Sequence, residues 1–492
     1  MRLRALVAAA TAAALPALCV FAVNEQPAHA AIGCSVSYTK NDWGSGFTAN
    51  ITIKNLGDAL SNWTLTYAYT GNQTLTGGWS GNWSQSGKTI TVTNASWNGT
   101  LATNATTTTG GQFTYTGTNT DPTAFSVNGT ACTGSVTTSP SPTTSPTTSP
   151  TGGTGTVPKL HVSGNKLVDA SGKTVVLRGV NRSGGEFMCI QGRGIWDGAV
   201  DDSATAAIAS WNAKAVRVPL NEDCWLGQSW VNSAYAGATY QAAVKAYVAT
   251  LEAHGLVPIL DLHWTYGLWT GNDNHCATAH AECQKPMPDS QYTPGFWTSV
   301  ANTFKGDTSV VFDLFNEPYP NNIGTMDYNQ SWVCWRDGGS ACTGLTYGAA
   351  GMQSLVTAIR GTGAQNVIIA GGNSYSNDLS QWLTYKPSDP TGNLVASWHS
   401  YNFNYCASSS CWDSQIAPVA ASVPLVASEI GENDCGHSYI DTLMAWLDSH
   451  GASYDAWTWN TWDCSSGPSL VSNLDGTPTA YGAGYKAHLT GS

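Results

Sequence analysis

The chain has 492 residues, a formal net charge of -12 and an isoelectric point near 5.1, with only 11% of its residues charged. Such an acidic chain with so few Lys and Arg offers no basic face to nucleic acid or anionic membranes, and neither is expected as a partner. Its 21 Trp and 20 Tyr exceed what a core of this size needs.

Met1-Arg2-Leu3-Arg4 is a basic start, followed by an apolar Ala/Leu/Val run to Val23 and the small-residue triplet Ala28-His29-Ala30. This predicts a secretory signal peptide over 1–30, cut after Ala30. Pro16 breaks the run, no stop-transfer pattern follows, and no later stretch is apolar for long enough to span a bilayer. The mature protein is expected to be extracellular and monomeric. Of the 13 cysteines, Cys19 lies in the leader, and the remaining twelve read as disulfides in an oxidising compartment. Spacing pairs Cys276 with Cys283, Cys334 with Cys342 and Cys406 with Cys411, and Cys34 with Cys132 staples the ends of the first domain. Elimination leaves Cys189 with Cys224 and Cys435 with Cys464. No CxxC pair occurs, so no metal is expected, and no organic cofactor is called for.

From 31 to 134 the chain shows short alternating runs (48–54, 63–67, 89–93, 112–115) punctuated by Gly and Asn, the pattern of an all-β sandwich. It has almost no ionisable residues for acid/base work, so binding is its natural role. Asn41-Asp42-Trp43, Gly46-Phe47-Thr48-Ala49-Asn50, Asn62-Trp63-Thr64-Leu65, Gly78-Trp79 and Asn94-Ala95-Ser96-Trp97-Asn98-Gly99, between Cys34 and Cys132, resemble the family 2 carbohydrate-binding module, the cellulose-binding kind. The resemblance implies that Trp43, Trp79 and Trp97 form a flat exposed strip that stacks on glucose rings, with Trp63 in the core. The side on which Trp83 lies is left open. Residues 135–157 are Ser/Thr/Pro/Gly-rich, cannot bury a core, and read as an extended linker.

From 158 to 492 apolar strand-like runs alternate with helical stretches, over a length that suits one (β/α)8 TIM barrel. The runs are 175–181, 215–219, 257–263, 310–316, 367–370, 394–399, 424–429 and 454–459, with helices expected over 240–254, 347–362 and 440–450. A hairpin over 160–168 is expected to close the barrel floor.

Two of these runs end in glutamates, Asn316-Glu317-Pro318 and Ser428-Glu429-Ile430. Strands buried on both faces read as continuously apolar, and polar groups at their C-terminal tips read as catalytic. Two such carboxylates suggest glycoside hydrolysis. Asn316 stands beside Glu317, and Arg217, His263, His399 with Tyr401, and Trp457 arrive at the same rim from other strands.

Leu177-Arg178-Gly179-Val180-Asn181, Val216-Arg217-Val218-Pro219, Asp261-Leu262-His263-Trp264 and above all Asp313-Leu314-Phe315-Asn316-Glu317-Pro318 resemble glycoside hydrolase family 5, a retaining (β/α)8 family of clan A. The resemblance implies Glu317 as acid/base and Glu429 as nucleophile. Asn316 would bind the sugar 2-hydroxyl, and Arg217 and Tyr401 would hold the nucleophile. His263 and His399 would contact the sugar or tune the acid, and Trp457 would lie under the ring at the cleavage point. Where the family's seventh strand usually ends Glu-Phe-Gly, this chain has Glu429-Ile430-Gly431-Glu432, which makes Glu432 a rival nucleophile. The acid's pKa is expected to be raised by the charge of Glu429. With a cellulose-binding strip alongside, an endo-β-1,4-glucanase is the first expectation and polysaccharide the expected partner. An endo-β-1,4-mannanase or xylanase is the alternative, and a non-catalytic carbohydrate-binding protein is a remote one.

Overall fold

The computed structural model describes residues 33–42, 46–95, 98–136, 157–271, 276, 278–463 and 467–491. They fall into two compact units, one within 1–149 and one within 150–492. The signal peptide and most of the linker lie outside the described residues.

The first unit is a sandwich of two five-stranded sheets. Gly46–Asn55 shows how the sequence builds it: Phe47, Ala49, Ile51 and Ile53 alternate inward with period two, and the strand pairs antiparallel with Cys34–Asp42 on one side and Thr106–Thr114 on the other. In the second sheet Thr64–Ala68 pairs with Thr89–Thr93 and Phe125–Val127. Tyr38, Trp63, Tyr67, Tyr69, Phe113 and Phe125 fill the shared core. Trp63 is fully buried, as expected, and its indole N–H donates to the Asn98 carbonyl at 2.7 Å.

The second unit is a closed barrel of eight parallel strands in sequence order: β1 (Arg178–Asn181), β2 (Ala215–Asn221), β3 (Val257–Trp264), β4 (Val311–Asp313), β5 (Ile368–Gly371), β6 (Leu394–Tyr401), β7 (Leu425–Gly431) and β8 (Ser453–Ala456). Nearly every strand residue is buried, which is why these runs lack polar alternation. Helices lie between the strands, among them Ala238–Ala253, Met352–Gly361 and Ser438–Ser449. Met352, Leu355, Val356 and Ile359 supply the inward stripe of the second, at helical spacing.

Below the barrel, the expected hairpin forms from His161–Ser163 and Lys166–Val168. Leu160 and Leu167 pack there against Leu177, Val257, Val311, Val367, Val395 and Val426. Two strands end earlier than the sequence pattern suggests. β4 leaves the regular ladder at Asp313, although the Leu314 and Asn316 amides still donate to Ile369 and Leu262 carbonyls at 3.0 Å. Pro318 has no N–H to continue the pairing. β8 stops at Ala456, and Trp457 follows on a cis peptide bond to Thr458. Apolar character carries these runs past the ladder because the tips remain buried while the backbone turns.

Five of the expected disulfides are present: Cys34–Cys132, Cys189–Cys224, Cys276–Cys283, Cys334–Cys342 and Cys406–Cys411. The sixth pairing involves Cys464, which lies outside the described residues. Among the described residues no helix is long and apolar enough to cross a membrane.

Candidate active site

The C-terminal rim of the barrel is organised by one cation. Arg217 on β2 is completely buried and reaches four other strand tips. Its Nε donates to Asp313 Oδ2 at 2.9 Å, its Nη1 to Asn181 Oδ1 at 3.0 Å and Glu429 Oε1 at 2.8 Å, and its Nη2 to Asn316 Oδ1 at 2.8 Å. Asp261 Oδ1 also stands 2.9 Å from Nη2, as an ion-pair contact outside hydrogen-bond geometry. A guanidinium can serve so many acceptors because its five N–H groups lie in a fixed plane. One positive charge cannot balance every carboxylate around it. Burial raises the pKa values of Asp261 and Asp313, with Arg217 offsetting part of the rise, and burial raises that of Asp455 as well.

The two sequence-predicted glutamates meet over this hub. Glu429 accepts from Arg217 at one oxygen and from the Tyr401 hydroxyl at the other, 2.6 Å away. Glu317, just past the end of β4, has its Oε1 2.9 Å from His399 Nδ1, and the same nitrogen is 3.6 Å from Glu429 Oε2. One oxygen of each glutamate and a ring nitrogen of His399 lie within 4.8 Å of one another. These three side chains are the one group among the described residues close enough to hold a metal ion, but Arg217, Tyr401 and the Glu317–His399 contact already engage their polar atoms.

Burial pushes Glu317 up to about 7, even though its side chain keeps 22% of its surface exposed. The rise matches the expectation, but its main cause is desolvation and not the charge of Glu429, whose two oxygens are engaged by Arg217 and Tyr401. The histidines go the other way. Burial lowers His263 to about 4 and His399 to about 3, so both are neutral near pH 7. His263 Nδ1 sits 2.6 Å from Asp261 Oδ2, and its Nε2 takes the Asn316 amide at 3.3 Å, an arrangement that puts the ring proton on Nδ1. Trp457 lies nearly parallel to the His263 ring, with centroids 5.5 Å apart. All eight barrel residues expected from the sequence therefore converge on one rim.

Glu432, the rival nucleophile, faces elsewhere. Its Oε2 accepts from the Tyr439 and Ile440 amides at 2.7 and 3.1 Å, at the start of the helix Ser438–Ser449. A carboxylate there satisfies backbone donors that the helix leaves unpaired.

Several polar residues at the site were not singled out from the sequence. Asp261 and Asp313 fix Arg217, and Asn181 bridges it to β7 through the Ser428 carbonyl at 2.8 Å. The signal was present: a charged residue inside a strand buried on both faces needs a buried partner. Gln284, immediately after the disulfide-bonded Cys283, accepts from the Asn316 amide at 3.3 Å and donates to the Glu317 carbonyl at 2.9 Å. Nothing in a loop sequence marks such a residue.

In the sandwich, Trp79 is 42% exposed and rests flat on Gly110, where a Cβ would stand 2.2 Å from its ring. Trp83 is half-buried against the core, and its indole N–H donates to Thr109 Oγ1 at 3.0 Å. Trp43 and Trp97 lie outside the described residues.

Comparisons with known proteins find likeness in both units. The family model described as Cellulase (glycosyl hydrolase family 5) matches residues 168–463, and that of the Cellulose binding domain matches residues 34–132. Endoglucanase CelA of Streptomyces lividans is 30% identical over 462 residues, covering 92% of this chain and 89% of that protein. A mannan endo-1,4-beta-mannosidase of the same organism is 24% identical over 309 residues, 61% of this chain and 66% of its own length. The fold is shared with the crystal structure of a beta-glucanase from Saccharophagus degradans, at a TM-score of 0.52 and 21% identity, over 68% of this chain and 94% of that one.

Proposed function

The chain belongs to the cellulases of glycosyl hydrolase family 5 and carries a cellulose-binding domain ahead of its barrel, and from that premise we propose that this glycosidase is a secreted, monomeric, retaining endo-β-1,4-glucanase. Carrying the reading is the close approach of Glu317 and Glu429, with an oxygen of each within 4.8 Å. Retaining enzymes hold their carboxyl groups about 5–5.5 Å apart, whereas inverting ones leave about 6.5–9.5 Å for a water.

In this reading Glu317 is protonated below about pH 7 and gives its proton to the glycosidic oxygen as the bond to the anomeric carbon breaks. Glu429, held at both oxygens by Arg217 and Tyr401, attacks that carbon from the opposite face and forms a glycosyl-enzyme ester. The leaving chain departs with the proton. Glu317, now ionised, takes a proton from water while the water oxygen attacks the same carbon, which releases the sugar with retained configuration and restores both glutamates. Asn316 receives the sugar 2-hydroxyl, His263 and His399 border the ring as neutral groups, and Trp457 lies beneath it. The strip of Trp43, Trp79 and Trp97 holds the enzyme to cellulose, and residues 135–157 tether the two units.

The test is product release from carboxymethyl-cellulose, β-mannan and xylan side by side, with Glu317→Gln as blank, and proton NMR of the first product formed from cello-oligosaccharides. Release from the glucan with the β anomer appearing first is the expected result; the α anomer first would overturn the mechanism. Mannan is the second reading, favoured by the likeness to the Streptomyces mannosidase. A preference for mannan would move the substrate while leaving the glutamates in their roles.

A further inference from the structure

The loop after β5 contains three consecutive non-glycine residues in the left-handed region: Ser374, Tyr375 and Ser376, with φ of 52°, 58° and 58°. A side chain disfavours that backbone, and a run of three persists only where its surroundings over-determine it. Here they do. The Tyr375 amide donates to the Pro318 carbonyl at 3.0 Å and the Ser374 amide to Asn321 Oδ1 at 3.1 Å. Ser376 sits at the centre: its Oγ donates to the Asn316 carbonyl at 2.9 Å, and its own carbonyl accepts from the His399 amide at 2.9 Å. Asn377 adds a bond from its side chain to the His399 carbonyl at 2.7 Å.

One residue thus joins the backbone that carries Glu317 to the backbone that carries His399, whose side chains meet at 2.9 Å. The His399 amide faces Ser376 by the ordinary alternation of β6, since Ser397, two residues earlier, also turns its carbonyl toward the β5 side and accepts from the Gly372 amide at 3.3 Å. Room for the hydroxyl is made by Gly371, where a Cβ would stand 2.3 Å from Ser376 Oγ. Ser376 is fully buried and touches neither glutamate side chain in any hydrogen bond described above.

We propose that Ser376 is a positioning residue for the acid/base: the strained turn exists to fix the Glu317 carboxyl against His399, so that one oxygen is occupied and the other is aimed at the leaving group. The inference rests on the reading of Glu317 as acid/base. Simple packing would not need the hydroxyl, and it would not need left-handed backbone in residues that bear a Cβ.

Ser376→Gly separates the two roles, because glycine accepts the positive φ without strain and lacks only the hydroxymethyl group. The variant is expected to fold with a thermal midpoint equal to or above that of the parent. Its kcat/KM should fall about tenfold on phenyl cellobioside, whose leaving group needs the proton, and stay within about twofold on dinitrophenyl cellobioside, whose leaving group does not. Glu317→Gln, measured alongside, should show the same selectivity in stronger form. Equal losses on both substrates with Ser376→Gly, or no loss on either, would overturn the proposal while Glu317→Gln still discriminates. If Glu317→Gln itself fails to discriminate, the acid assignment falls and the role of Ser376 falls with it.

Discussion

The sandwich and the barrel both present a sugar-directed surface, yet they are built on opposite principles. Among its described residues the sandwich buries no charged side chain, and its polar interior is uncharged: Asn55, Gln73, Asn98 and Thr109, with the Tyr38 and Tyr69 hydroxyls 3.0 Å apart. What it offers the solvent is an aromatic ring. The barrel buries Arg217, Asp261, Asp313, Asp455 and Glu429 toward one end, whereas the other end is packed by an apolar cluster with no charged member. Adhesion to a flat insoluble face needs apolar area that can shed water. Bond cleavage needs fixed charges and dipoles, already desolvated, at the point where charge develops.

Changes at the two glutamates break the comparison most sharply. Glu317→Gln should cut hydrolysis of soluble glucan by about 10²–10⁴-fold, the usual contribution of a general acid. Glu429→Gln should cut it at least as far, because no covalent intermediate then forms. Cellulose adsorption, measured by depletion, should stay unchanged in both. Full hydrolysis by Glu429→Gln would remove Glu429 from the mechanism.

Arg217→Ala tests the ionic end of the barrel as structure. Removing the cation strands Asp261, Asp313 and Glu429, and breaking a buried pair costs about 3–5 kcal/mol. The barrel's unfolding transition should move down accordingly by calorimetry, with the sandwich's transition in place. A shift of both transitions together would contradict two independent cores.

A smaller effect should appear with pH. Because Glu317 is raised from 4.5 to about 7, kcat/KM on soluble glucan should fall about tenfold per pH unit above pH 7, as the acid loses its proton. Stability has the same sign. A carboxyl whose folded pKa lies above its unfolded one binds more protons when folded, so its contribution is complete below about 4.5 and declines as pH rises through about 7. The thermal midpoint should accordingly be higher at pH 5 than at pH 8. A rising midpoint over that window would show that other groups dominate.

Much of this was legible in the sequence, for a physical reason. A parallel strand covered on both faces must be apolar along its length, so the runs ending in Glu317 and Glu429 announced both the barrel and the positions of its tips. The same uniformity hid the ends: nothing in Leu314-Phe315-Asn316 marks the ladder's stop at Asp313, because burial persists where pairing does not. The residues that support the glutamates were less visible than the glutamates. Asp261 and Asp313 head two of the quoted motifs, but their partnership with Arg217 joins separate strands; Gln284 and Ser376 act through contacts far apart in the chain, which neither local period nor motif encodes.

The finest test falls on the exposed side of the comparison. Trp79 lies flat because Gly110 leaves the strand Thr106–Thr114 bare beneath it, while on the opposite, core-facing side Gly111 makes room for Trp83, whose indole N–H donates to the Trp79 carbonyl at 3.2 Å. One face of Trp79 is thus spent on backbone and the other is left to solvent. Trp79→Ala should weaken adsorption to crystalline cellulose by about 0.5–1.5 kcal/mol, roughly two- to tenfold, the scale of one aromatic stacking contact. Activity on soluble glucan should not change. Gly110→Ala should weaken adsorption similarly without deleting the ring, because its methyl group would lift the indole out of the plane it now occupies. If Gly110→Ala binds as the parent does while Trp79→Ala does not, the area of the ring matters and its flat orientation does not.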